Sequence, residues 1–274
     1  MAQIHQETTL TPTVVAYKTK HTTLLSKDLA IGYGTHVIAK GINFALVPGE
    51  LTAIVGINGI GKSTLLRTLG NAQPLLSGQL IIKKKPLEAY APLELSSEIS
   101  MVLTEPIASK NLSVLELVAL GRQPYTNWLG KLTDIDKNKI SEAFEALELS
   151  DLKDKKCFEL SDGQLQRAMI ARALAQDTDI ILLDEPTTHL DLYHKVQILK
   201  LLRTIAHTTK KTVVFTTHEI EMAIQLCDKM LLLDGKSNHF GQPCELITQK
   251  AFESLFPSDT VVFDPKTGSF RIKK

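Results

Sequence analysis

Residues 56–64 read Gly-Ile-Asn-Gly-Ile-Gly-Lys-Ser-Thr, which fits Gly, four arbitrary residues, then Gly-Lys-Ser/Thr. No other stretch narrows the fold as much. The residues before it, Leu51-Thr52-Ala53-Ile54-Val55, form a short β-rich run, and a helical pattern begins near Lys62. A strand, a glycine-rich turn and a helix are the setting in which such a run cradles phosphate. Gly56, Gly59 and Gly61 allow a backbone path that points successive N–H groups inward. Lys62 would reach the outer phosphates of a nucleotide, and Ser63 would offer its hydroxyl to Mg2+. The following helix adds the positive end of its dipole. The whole segment, Asn58 and Thr64 included, is therefore a candidate nucleotide-binding set, with the type of nucleotide enzyme still open.

A second apolar run, Ile180-Ile181-Leu182-Leu183, ends in Asp184-Glu185. A buried strand that delivers carboxylates at its C-terminal end suits an open α/β sheet, where ligands bind. Asp184 is expected to help hold Mg2+, and Glu185 to orient or deprotonate an attacking water. By itself the pair could equally cap the strand before Pro186. A third run, Thr212–Phe215, leads to Thr216-Thr217-His218, which puts His218 where it could contact phosphate and water. A helix at about Tyr193–His207 would supply the crossover between these parallel strands. Farther back, Leu160-Ser161-Asp162-Gly163-Gln164 opens a helical pattern reaching Ala175. Ser161 and Gln164 have the spacing of a capping box. A glycine-containing helix N-terminus can also receive a phosphate from outside.

These segments together resemble the ABC ATPases, whose signature usually reads Leu-Ser-Gly-Gly-Gln. The motifs occur in the expected order over roughly residues 24–240. The resemblance implies an α/β P-loop NTPase core of ABC type, with an antiparallel β subdomain and an inserted helical subdomain. It implies that Tyr33 stacks on adenine, that Thr188-His189-Leu190-Asp191 crosses a dimer interface, and that His218 is a switch histidine. It further implies that ATP held by Lys62 and Ser63 of one subunit is closed over by Ser161, Gly163 and Gln164 of its twin. The expected assembly is a homodimer sharing two ATP sites beneath integral-membrane permease subunits, and coupled indirectly to a substrate-binding protein. The corresponding location is peripheral, on the cytoplasmic face of the membrane.

Composition agrees with that placement. The formal net charge is +1, so there is no bulk pull toward nucleic acid or anionic lipid. No apolar run approaches the roughly 20 residues that span a bilayer. Three cysteines without metal-ligand spacing point to a reducing compartment. The chain divides into a flexible lead (1–22), an ATPase domain (23–244) with a helical insertion at about 87–158, and an appendage (245–274). Within the appendage, Phe252, Leu255 and Phe256 suggest a short helix, and two strands flank an Asp-Pro-x-x-Gly turn.

Two positions depart from the family pattern. Asp162 replaces a signature glycine, and its carboxylate is expected to turn away from nucleotide. Where the family carries a glutamine at a strand end, Thr104 or Glu105 stands; threonine is short, whereas Glu105 could offer an oxygen to metal or water. The stretch Asn111–Arg122 with Pro124-Tyr125-Thr126 resembles ATPase subunits of importers for iron–siderophore complexes, haem and vitamin B12. An efflux ATPase, another metal importer or a soluble ABC ATPase remain alternatives. A GTPase is disfavoured because no Asn/Thr-Lys-x-Asp segment is present.

Overall fold

The computed structural model describes residues 22–105, 109–257 and 259–273, so all of the expected N-terminal lead except Thr22 lies outside the described residues. β1 (Leu24–Tyr33) and β2 (His36–Leu46) form a hairpin, followed by β3 (Leu51–Val55) and α1 (Lys62–Leu69). β4 (Ser77–Ile82) and β5 (Lys85–Pro86) return to the hairpin and complete an antiparallel sheet of order β2-β1-β4-β5. Short α2 (Pro92–Ser96) leads to β6 (Ile99–Val102), and α3 (Val114–Ala119), α4 (Asp134–Ala146) and α5 (Asp162–Ala175) follow. The chain then alternates through β7 (Ile180–Leu183), α6 (Leu192–Thr209), β8 (Thr212–Thr217), α7 (Ile220–Leu226), β9 (Lys229–Leu232) and β10 (His239–Gly241). It ends with α8 (Pro243–Thr248) and the hairpin β11 (Val261–Asp264) and β12 (Ser269–Ile272).

The second sheet has the order β10-β9-β3-β8-β7-β6, parallel apart from β10. Its central strands are apolar on both faces because both faces are covered. Alternate residues divide between two cores: Ala53, Val55, Ile181, Leu183, Val213 and Phe215 face α3–α6. Ile54, Ile180, Leu182 and Val214 face α1 and the antiparallel sheet. The register brings Val55 beside Thr217, Leu183 beside Phe215, and Val102 beside Leu183. The C-terminal ends of β3, β8, β7 and β6 therefore lie side by side.

The helical insertion begins later than residue 87. Ile99–Val102 pairs with Ile180–Leu183 as an edge strand of the main sheet, so the helical excursion starts only after Val102. α5, against which α3 and α4 pack, is tied to that edge strand. Arg172 donates to Met101 O at 3.2 Å, and the Gln176 amide donates to Ser96 O and Ile99 O. Arg122, buried, bonds Asp136 at 2.8 Å and Ala175 O at 2.8 Å, joining the ends of α3 and α5 to the start of α4. Gly121 makes this possible: a Cβ there would meet Arg172 O at 2.2 Å. Burial pushes the Asp136 carboxyl upward, but hydrogen bonds from Thr133 and the Arg122 guanidinium more than reverse it, leaving it below the usual range.

The C-terminal hairpin carries an aromatic cluster in which Phe263 lies 4.8 Å from Phe252 and 5.1 Å from Phe270. It is pinned to α7 where Phe270 N–H donates to Glu221 Oε1 at 2.9 Å. Among the described residues no helix is long and apolar enough to cross a membrane.

Candidate nucleotide site

The loop from Gly56 to Gly61 links the end of β3 to α1, and its path needs left-handed backbone. Gly61 has φ +106°, and a Cβ there would come within 2.7 Å of Ile38 Cγ2. Lys62 is only 5% exposed, and its ammonium donates to Gly56 O at 3.1 Å and Ile57 O at 3.3 Å. Burial pushes it below the usual lysine range, while the charges of Glu185 and Asp184 oppose that push. A buried cation on a glycine-rich loop is suited to phosphate.

Asp184, 2% exposed, receives three hydroxyls. Ser63 donates to its Oδ1 at 2.9 Å and Thr216 to the same oxygen at 2.6 Å, while Thr104 donates to Oδ2 at 3.4 Å. Thr216 also accepts the Glu185 N–H at 2.8 Å, so a single threonine orients both carboxylate-bearing residues. The Ser63 hydroxyl and Asp184 carboxylate are the hard oxygen donors that Mg2+ takes, and they stand together beside Lys62. The donor set fits that ion.

Glu185 holds the sparsely populated conformation φ +45°, a cost tolerated where surrounding bonds fix the chain. Its Oε2 accepts from Thr188 at 3.0 Å, and His218 Nδ1 lies 3.7 Å away. Tyr33, half exposed at the end of β1, places its hydroxyl 3.4 Å from Thr64 Oγ1. Tyr33, on the antiparallel sheet, thus meets the phosphate loop near Asp184, Glu185 and His218, which gather at the C-terminal ends of the main-sheet strands.

Ser161, Gly163 and Gln164 stand elsewhere, at the start of α5. Ser161 Oγ accepts from Gln164 N–H at 3.3 Å, and Gln164 Oε1 accepts from Ser161 N–H at 3.1 Å, a complete capping box. Asp162 is exposed in the first helical turn, where a carboxylate favours the helix dipole. Gly163 faces α6; a Cβ there would rest 3.4 Å from the His194 ring.

Two findings revise the sequence expectations. Glu105 does not turn toward the acidic strand; it pairs with Arg67 at 2.7 Å, and Thr104 is the residue that reaches Asp184. Thr216 escaped the sequence reading, although a hydroxyl inside the apolar run of β8 was its visible signal.

The family described as ABC transporter matches residues 39–188. The petrobactin import ATP-binding protein FpuD of Bacillus anthracis is 34% identical over 248 residues, 90% of this chain and 91% of that one. Further relatives at 32–36% identity are named for siderophore, achromobactin, iron(3+)-hydroxamate and ferric enterobactin transport. Among solved structures, a metal-chelate type ABC transporter in an inward-facing conformation matches with TM-score 0.75 and 31% identity, over 91% of this chain and 95% of that one. An ATP-binding cassette solved as a post-hydrolysis dimer with ADP and phosphate matches with TM-score 0.68 and 28% identity, over 80% and 98%.

Proposed function

The chain belongs to the ABC transporter family, and we propose that it is the ATP-hydrolysing subunit of an importer for iron–siderophore cargo. The observation that carries the ATPase reading is the cluster of Lys62, Ser63, Asp184 and Glu185 at the strand ends, where Ser63 and Thr216 meet on the Asp184 carboxylate and Thr216 also holds the Glu185 backbone. The names of the relatives support the importer class, and their scatter over several chelates leaves the cargo open within that class.

In this mechanism Lys62 and the loop amides hold the β- and γ-phosphates. Ser63 and Asp184 would hold Mg2+, which would neutralise phosphate charge. Glu185, fixed by Thr188, orients a water and takes its proton, and His218 contacts the outer phosphate. Tyr33 stacks on the base. The α5 end of a second copy, with Ser161, Gly163 and Gln164, closes over the triphosphate through its free N–H groups. Closure assembles the cradle and excludes water; hydrolysis releases it.

Permease subunits would sit against the groove between α2 and the α3–α5 layer, where Leu93 and Leu120 are exposed beside Pro124 and Arg172. Force from hydrolysis would then pass through the Arg172 and Gln176 ties to β6 and so to Thr104 and Asp184. On this reading the chain would lie on the cytoplasmic face of the membrane, with a substrate-binding protein acting from the far side.

The test is Mg-ATP binding, hydrolysis and molecular mass for the wild-type chain and Lys62→Ala. The wild type should turn over ATP in preference to GTP and dimerise when hydrolysis is blocked. Lys62→Ala should lose tight nucleotide binding and stay monomeric. A trapped, ATP-loaded wild type that remains monomeric would refute the sandwich.

A further inference from the structure

His218 is poorly held by its own strand. It follows the last residue of β8, its side chain is 46% exposed, and it stands between two carboxylates. On one side Nδ1 lies 3.7 Å from Glu185 Oε2; on the other Nε2 lies 3.5 Å from Glu219 Oε1. The same Glu219 oxygen takes the Lys195 ammonium. Glu219 is further fixed by its backbone, whose N–H donates to Thr217 Oγ1 at 3.0 Å.

Lys195 occupies an unfavourable place for a cation. Its N–H is bonded to Asp191 O in the first turn of α6, near the positive end of that helix dipole. The side chain is also largely covered. A lysine there is offset by its pairing with Glu219, which lies 24 positions on, at the N-cap of α7. The ion pair thus links α6, which directly follows the Thr188–Asp191 loop, to the residue next to His218. Without Lys195, the Glu219 charge would act on His218 alone and draw the ring away from Glu185. With Lys195 present, the Glu219 carboxylate has one fixed position and the ring one fixed neighbour.

We propose that Glu219, anchored by Lys195, is a positioning residue for His218, so that movement of the Thr188–Asp191 loop is transmitted to the histidine ring. This rests on the reading of His218 as a residue of the hydrolysis site. Neither Glu219 nor Lys195 is required to touch nucleotide. Their removal should therefore reduce turnover without weakening ATP binding.

Steady-state hydrolysis by the full-length chain tests this with Glu219→Ala, Lys195→Met and Lys195→Arg, each also combined with His218→Ala. Glu219→Ala and Lys195→Met should each lower kcat about 10-fold, the scale of a small misplacement of a reacting group, with KM for Mg-ATP within about twofold. Lys195→Arg should restore kcat to within about twofold, because a guanidinium can still meet the Glu219 carboxylate. In the His218→Ala background, Glu219→Ala should cause no further loss. Should Glu219→Ala fail to fold, Glu219→Gln, which keeps the shape and removes the charge, must show the same fall in kcat. An equal loss with and without His218, or a KM that rises in step, overturns the positioning role. Full turnover by His218→Ala alone would instead remove the histidine from the hydrolysis site, which separates the two failures.

Discussion

Glu185→Gln separates binding from chemistry because the substitution keeps shape and removes one charge. The side-chain oxygen can still accept from Thr188, which now lies 3.0 Å from Oε2, and the backbone bond to Thr216 is untouched. Folding stability should therefore change by less than about 1 kcal/mol, the net worth of one hydrogen bond. Loss of a general base costs roughly 10²–10⁴ in rate, or about 3–5 kcal/mol of transition-state stabilisation. Binding should move the other way. Two like charges about 5 Å apart repel by about 3 kcal/mol at an effective dielectric near 20, and screening lowers that to about 1–2 kcal/mol. ATP should then bind about 10-fold more tightly, although Lys62 loses the stronger of the two carboxylate charges that oppose the downward push of burial. The expected phenotype is phosphate release reduced at least about 100-fold, an unchanged or lower Kd for ATP, and a dimer that persists in light scattering. Steady-state turnover within about 10-fold of wild type would show that Glu185 does not activate the water.

Arg122→Met leaves Asp136 buried with only its Thr133 bonds and should cost about 3 kcal/mol, or about 6–12 °C in Tm. Because the folded Asp136 carboxyl is held below its usual value, its contribution is complete above the unfolded pKa near 3.9 and fades as pH falls through the folded one. The Tm gap between wild type and variant must therefore narrow in acid; a constant gap from pH 7 to pH 3 would contradict this. Asp162→Gly should keep ATP-driven dimerisation while losing about 0.5–1 kcal/mol of helix stability, and collapse of binding would place the carboxylate at the nucleotide after all. Of the three free thiols, exposed Cys244 alone should be alkylated in the native chain, since Cys157 and Cys227 are buried and burial pushes both thiols upward. Mass spectrometry counts the adducts, and labelling of Cys227 without denaturant would refute the packing of α7.

The parts of the site that were legible in sequence are those encoded by adjacent residues. The Gly56–Thr64 run, the carboxylates ending Ile180–Leu183, and the Ser161–Gln164 box each state their geometry locally. What was missed depends on register between distant strands. Thr216 matters because β7 and β8 align Leu183 with Phe215, which sets the next residue on each strand, Asp184 and Thr216, within bonding distance. The point where the helical insertion starts is not marked locally, because the pairing partner of the short run Ile99–Val102 lies 81 residues away. Thr104 follows the same logic: its side chain is short, but β6 already brings the chain beside Asp184.

The charge pattern gives a reason for the second protomer that motif order does not. At the strand ends one buried lysine, Lys62, faces two carboxylates, Asp184 and Glu185. A triphosphate and one divalent cation added to that set leave a surplus of negative charge beside a low-dielectric sheet, where repulsion is poorly screened. Among the described residues no further lysine or arginine is bonded within this cluster: Arg67 is committed to Glu105 and Lys195 to Glu219. A helix N-terminus supplies about half a positive charge and free N–H donors without adding a titratable group. The start of α5 offers this, but it stands against α6 and His194, away from its own phosphate loop. A neighbouring copy can bring that helix end to the γ-phosphate. ATP affinity should then rise steeply with protein concentration, and a concentration-independent Kd would show that a single protomer balances the charge alone.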